Sequence, residues 1–305
     1  MPIKVSLGLG FFLLCCFASA VSLAAPQDNA AAHLMRGVGL SAKRDLDGAI
    51  AEYRQALRLQ PNYPEAHNNL GNALADKGDL DGAIAEYREA LRLQPDNPSA
   101  HINRGIALKA KGELDGAIAE YRQALRLQPN FSESHIILGN ALADKGDLDG
   151  AIAEYREALR LQPDHPSAHI NLGIALKAKG DLDGAIVEYR KALHLQPDYA
   201  NAHIGLGIAL ATKGNLDEAV AEFRQAVRLQ PDDPEAHYNL GAALDQKGDL
   251  DGAIAEYRQA VRLQPNEPDA HYNLGMALAA KGKKKEAARE FAEAQRLNPN
   301  LKPPK

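Results

Sequence analysis

The chain has no tryptophan, and aromatic residues make up only 5 % of its 305 positions. A core built around large rings is therefore excluded, and Leu, Ala, Ile and isolated tyrosines must fill the interior. Its two cysteines, Cys15 and Cys16, both fall within the first 25 residues. Everything after them lacks a thiol, which excludes disulfides and thiolate metal sites. No long basic run exists; Lys281 and Lys283 to Lys285 form a small cluster, and the net charge is −5. Nucleic-acid surfaces need a basic stripe, so a nucleic-acid partner is not expected. No nucleophile with a convergent base and no phosphate loop is present. Neither catalysis, a cofactor nor a small-molecule substrate is expected.

What the chain does have is a stride. Pro61, Pro95, Pro129, Pro163, Pro197, Pro231, Pro265 and Pro299 recur every 34 residues, and the residues between them repeat as well. A repeat of this length is one helical hairpin, which buries its apolar face only by stacking on neighbours.

The first 25 residues are of another kind. Lys4 is followed by an apolar stretch from Val5 to Phe17 and then by small residues, Ala18-Ser19-Ala20 and Ser22-Leu23-Ala24-Ala25. This order reads as an export signal cleaved after Ala20 or near Ala25, with an uncleaved anchor as the alternative. Losing Lys4 with it takes the net charge from −5 to −6. Residues 26–29 form a linker and 302–305 a tail.

Within the unit 64–97, Leu70, Gly71, Leu74 and Ala75 share one helical face, and Leu80, Ala83, Ile84, Tyr87, Ala90 and Leu91 share another. Gly78 suits the left-handed residue that closes a helix, Asp79 suits the next N-cap, and Pro98 suits the opening of the following unit. Each helix is about 14 residues, roughly 20 Å long. Gly71 is expected to face Ala83 so that the two backbones approach closely.

This pattern resembles the tetratricopeptide repeat. The second-helix aromatic runs from Tyr53 through Tyr155 and Phe223 to Phe291; the first-helix glycine runs from Gly37 to Gly275; the paired alanine runs from Ala49 to Ala287. The resemblance covers eight units: 30–63, 64–97, 98–131, 132–165, 166–199, 200–233, 234–267 and 268–301. It implies an all-α, right-handed α-solenoid of eight antiparallel helix pairs. Three features depart from the pattern. Histidine stands at the first aromatic position throughout, leucine at the second, and glycine occupies the first turn of most second helices (Gly48, Gly82, Gly116, Gly150, Gly184, Gly252), where glutamate is usual. Arg36 and Arg104 replace an interior leucine, and the stem of Arg104 is long enough to carry its head to solvent. In the last unit Lys284, Ala288 and Gln295 stand where interior units are apolar, as expected of a terminal cap.

The histidine row, His33 to His271, is read as half-buried neutral rings replacing an aromatic, not as metal ligands, because neighbouring units pack about 10 Å apart. Buried neutral histidines predict stability that falls as pH drops through about 6.5. The stronger candidate site is a ladder, Asn69, Asn103, Asn171, Asn239 and Asn273, on the first helices, broken by Met35, Ile137 and Gly205. Such a row resembles the asparagines of the repeat arrays attached to O-linked N-acetylglucosamine transferases, which implies binding of peptide main chain along a concave groove. Asn68, Asn72, Asn140, Ile102, Ile170, Tyr238 and Tyr272 vary beside it, with Lys109 and Lys177 alternating with Asp76 and Asp144. The reading is an exported, periplasmic adaptor that binds a protein or peptide. The alternatives are an accessory subunit of a separate envelope enzyme and a self-assembling structural unit. Any membrane contact would run through residues 1–25.

Overall fold

The computed structural model describes residues 29–302; the export signal read in residues 1–25 lies outside them. Helices alternate in two sets with no strand among the described residues. The first helices of the units are α1 (Ala30–Ala42), α3 (Pro64–Asp76), α5 (Pro98–Ala110), α7 (Ser132–Asp144), α9 (Pro166–Ala178), α11 (Ala200–Thr212), α13 (Pro234–Gln246) and α15 (Pro268–Ala280). The second helices are α2 (Leu46–Leu59), α4 (Leu80–Leu93), α6 (Leu114–Leu127), α8 (Leu148–Leu161), α10 (Leu182–Leu195), α12 (Leu216–Leu229), α14 (Leu250–Leu263) and α16 (Lys284–Leu297). These are the eight antiparallel pairs that the 34-residue period predicts, stacked as an all-α solenoid.

Each punctuating residue does what its chemistry allows. Gly78 sits at φ +85°, a left-handed geometry that spares glycine the steric cost a Cβ brings. Unit 1 has Arg44 at the same place, held at φ +65°. Proline occupies the first turn of α3, α5, α9, α13 and α15, where a missing N–H costs nothing. Each second helix then packs against its own first helix and the next one. First helices of successive units also touch each other directly, as α1 with α3 and α9 with α11, and no comparable packing joins successive second helices among the described residues. The first helices therefore crowd the inner wall of the curve, and the second helices stand outside.

The core is a column of small residues and single rings. Tyr87, Tyr121, Tyr189, Tyr257 and Phe223 are fully buried. The first-helix glycine makes room for that ring: a Cβ on Gly71 would lie 2.6 Å from Cε1 of Tyr87. This corrects the expectation that Gly71 serves close approach to Ala83. The column's buried side chains group into two large clusters, Leu34 to Ala107 and Leu108 to Ala287, with Ile84 packed against both and a small group of Ile204, Ala226 and Ala236 beside them; the large clusters meet at α5, which carries Arg104.

The first-turn glycines also find their reason here. Asp79 caps α4 by accepting from the N–H of Gly82 at 2.9 Å, and a Cβ on Gly82 would lie 2.4 Å from that carboxylate. Asp45, Asp147, Asp181 and Asp249 make the same bond to Gly48, Gly150, Gly184 and Gly252. Glycine lets the capping carboxylate fold down over the helix end.

Candidate functional site

Three rows of polar side chains run along the array, and each ties units together. On the edge of the stack, Lys77, Lys111, Lys145, Lys179, Lys213, Lys247 and Lys281 reach back to an aspartate of the preceding unit, as Lys111 does to Asp81 at 2.7 Å. Such exposed pairs each contribute little to stability, about 0–1 kcal/mol.

The histidine row is a second tie. Nδ1 of His203 lies 2.6 Å from Oε2 of Glu222 on the facing helix, and its Nε2 lies 2.9 Å from the carbonyl oxygen of Pro197 in the preceding unit. His67, His101, His135, His169, His237 and His271 repeat both contacts. A neutral imidazole has one N–H and leaves one of two acceptors unserved; an imidazolium serves both. Hydrogen bonding to Glu222 raises the His203 pKa above its ordinary value, with help from the Pro197 carbonyl and against the effect of burial. At His203 the expectation of a ring whose pKa is depressed by burial is overturned, because the ring is bracketed by acceptors that sequence spacing alone does not place. The stride proline thus has a second role, since its carbonyl holds the next unit's histidine. Among the described residues, no group of three or more His, Cys, Asp or Glu side chains is arranged to hold a metal.

The asparagine ladder is the third row. It lies on the inner wall, half-buried, and part of it is already engaged. Asn103 donates through Nδ2 to Oδ1 of Asn72 at 3.0 Å and of Asn68 at 3.3 Å. Asn72 also accepts from the hydroxyl of Tyr87 at 2.8 Å. Two joints further, Asn171 donates to Asn140 at 2.9 Å, and Tyr155 donates to the same oxygen at 2.7 Å. Asn273 donates to the Tyr238 hydroxyl at 2.8 Å. The rule is local: a ladder asparagine bonds backwards wherever the preceding unit presents a polar group. Asn69 and Asn239 follow apolar neighbours and make no side-chain hydrogen bond among the described residues. The amide donors of Asn103, Asn171 and Asn273 are thus directed at the preceding units, and their oxygens accept no side-chain hydrogen bond among the described residues.

Two of the three gaps in the ladder are packed: Ile137 lies against the core, and Gly205 faces the Tyr189 ring, where a Cβ would lie 2.8 Å from it, whereas Met35 is exposed. With Ile174 where Asn72 or Asn140 would stand, the buried Tyr189 hydroxyl has no partner. Its burial pushes the phenol pKa up to about 12.

Other predicted wall residues divide in the same way. Ile170 is only 5 % exposed and belongs to the core, so it offers the groove nothing; Ile102 is half-buried. Tyr238 and Tyr272 are half-buried, packed in tilted ring pairs with centroids 5.9 Å from Tyr257 and 5.6 Å from Phe291. Lys109 is paired across the joint with Asp144 at 2.6 Å, whereas Lys177 has no ion pair among the described residues. The side chains that do stand into the groove are Ile106 and Ile174, each 50 % exposed, and Met276, 39 % exposed. Of these, Ile106 and Ile174 mark the row that the sequence showed beside the ladder. Two hollows open there. One of about 470 Å³ is lined by Lys109, Asn140, Tyr155, Asn171 and Ile174. The other, about 370 Å³, is lined by Ile208, Thr212, Phe223, Asn239 and Gln246. Each combines an apolar wall with carboxamides, which suits a peptide side chain beside its own main chain.

Comparison with known proteins agrees with this geometry. Residues 96–302 match the family model described as the cilia and flagella-associated protein 70 C-terminal domain, and residues 42–78 and 71–112 match the TPR repeat model. Among solved structures, MamA from Desulfovibrio magneticus RS-1 is 26 % identical, covers 56 % of this chain and 96 % of its own, and superposes with a TM-score of 0.53. YrrB, described as a TPR protein with an unusual peptide-binding site, is 25 % identical over 59 % of this chain and 93 % of its own, TM-score 0.52. PilF of Pseudomonas aeruginosa is 22 % identical, covers 68 % and 94 %, and shares the fold at TM-score 0.59. No curated protein matches the chain.

Proposed function

This chain belongs to the tetratricopeptide-repeat family, and from that premise we propose that it is a non-catalytic adaptor that binds an extended peptide segment along its inner wall. The observation that carries the reading is the exposed row of Ile106, Ile174 and Met276 beside half-buried carboxamides, an arrangement with no partner inside the fold. Apolar side chains of the peptide would enter the two hollows, and main-chain N–H groups would donate to the asparagine oxygens left over from the joints. The peptide-binding description of YrrB, a relative in fold and sequence, supports the same use of the surface. The N-terminal charge and apolar pattern supports export to a bacterial periplasm, with cleavage near Ala20 or Ala25; N-terminal sequencing of the chain from a cell-envelope fraction tests it.

The binding reading is tested by selecting peptides from a random display library on the immobilised chain. Selected peptides should lose affinity for Ile106→Glu and Ile174→Glu and keep it for Ala153→Glu on the outer face. Peptides indifferent to both inner-wall changes would sink it.

A further inference from the structure

The outer face carries a row of arginines whose partners have been removed. Arg54, Arg88, Arg122, Arg156, Arg190, Arg224 and Arg258 occupy one position on successive second helices, all exposed. In two units the next second helix supplies a carboxylate: Arg190 holds Glu218 through Nη2 at 2.7 Å, and Arg258 holds Glu286. Both glutamates stand at the third helical position, where the other units have glycine. Their helices begin on Asn215 and Lys283, neither of which makes a side-chain cap. The helix ends facing Arg54, Arg122, Arg156 and Arg224 have an aspartate cap and a glycine; the one facing Arg88 has Glu113 and Gly116. The carboxylate of each aspartate is spent on the helix end, and Arg54, Arg88, Arg122, Arg156 and Arg224 are left without an ion pair among the described residues.

Nearby acids do not fill the vacancy. Asp47, Asp81, Asp115 and Asp149 are taken by the lysine row, and Glu89 and Glu157 by Arg92 and Arg160. The outer surface of units 1–4 is therefore a single-file line of four uncompensated guanidiniums, each beside a helix end that carries glycine where units 6 and 8 carry glutamate.

We propose that this line is a second docking strip, for an extended acidic polypeptide segment whose Asp or Glu side chains take the places Glu218 and Glu286 fill in units 6 and 8. Carboxylate is the chemistry this arginine accepts within the protein itself, and guanidinium matches it bidentately. A row one residue wide on the outside of a curve suits a flexible chain, since a flat bilayer meets an arc only at a tangent. The strip lies on the side opposite the peptide groove and stands or falls independently of it.

The test is fluorescence anisotropy of labelled oligoglutamate with the full chain at low salt. The parent chain should bind, and the Arg54→Gln, Arg88→Gln, Arg122→Gln, Arg156→Gln variant should bind at least about tenfold more weakly. A second variant keeps every arginine and rebuilds the internal partner, Asp79→Asn with Gly82→Glu and Asp147→Asn with Gly150→Glu. It should lose affinity while melting no lower than the parent. Ile106→Glu with Ile174→Glu should leave oligoglutamate binding unchanged. The inference is overturned if the arginine variant binds oligoglutamate as the parent does, if the rebuilt partners leave binding intact, or if a DNA oligonucleotide or phosphatidylglycerol vesicles are bound in preference to oligoglutamate.

Discussion

Helices α5 and α9 are the same sequence but for one residue: PSAHINRGIALKA against PSAHINLGIALKA, with Arg104 in one and Leu172 in the other. In α9, Leu172 is 3 % exposed, Ile170 is 5 % exposed and His169 is 6 % exposed, all on the continuous core. In α5, the equivalent Ile102 and His101 are half-buried, and the two large core clusters meet there. Arg104 holds Glu120 through Nη1 at 3.0 Å, the same carboxylate that receives His101, and its Nε is buried without a partner. A guanidinium in this column forms its own polar pair at the expense of the apolar seam. One substitution thus places a charged pair in the column where α9 keeps an apolar side chain. Stability of a repeat array is a sum of unit and joint terms, so the weak place stays local.

Exchanging the two residues should give the largest effect. Leu172→Arg should destabilise by about 3 kcal/mol, from the lost burial plus a desolvated charge that Glu188 only partly compensates. Arg104→Leu should stabilise by about 1–2 kcal/mol. Denaturant unfolding measures both, and hydrogen exchange should show α5 amides slower than in the parent after Arg104→Leu. Equal exchange of α5 and α9 in the parent would break the comparison.

The ring joints sharpen it. Tyr189 follows α9 and has an unpartnered hydroxyl, so Tyr189→Phe should be neutral or stabilising by up to about 1 kcal/mol; Tyr155→Phe removes one of the two donors to Asn140 and should cost about 1 kcal/mol. Melting curves that shift in the same direction for both would contradict the assignment.

Smaller still is the pH response. The folded pKa of His203 is raised by Glu222, so its contribution is full below the unfolded value of about 6.5 and is lost as pH rises through the folded value. The melting temperature should be higher at pH 6 than at pH 8, and His203→Gln should reduce the difference. A melting temperature that falls between pH 8 and pH 6 would restore neutral rings.

The least effect belongs to the caps. Asp181 caps α10, whereas Glu113 makes no side-chain cap on α6. Glu113→Asp should bring unit 3 nearer to unit 5 by about 0.5–1 kcal/mol, read from the same unfolding curves.

Much of this was legible in the residues. A 34-residue period with two helical faces specified paired helices, and Gly78, Asp79 and Pro98 marked their ends. The asparagine row was visible as a row, yet its engagement was not, because whether Asn103 bonds backwards depends on Asn72 one unit earlier. Nor did the histidine row disclose its partners, since for His203 Glu222 lies 19 residues away and Pro197 six, on opposite sides of the ring.

By itself, then, the sequence determined which stretches are helical, which faces are apolar and how many times the hairpin recurs, because helical periodicity and capping are local and need no knowledge of neighbours. Tertiary structure alone decided which polar atoms meet: the histidine between carboxylate and carbonyl, the asparagine turned into a joint, the arginine left unpaired. Those contacts join positions from different helices, often different units. Hydrogen bonds and ion pairs act over a few ångströms, so only the stacking brings their partners within reach.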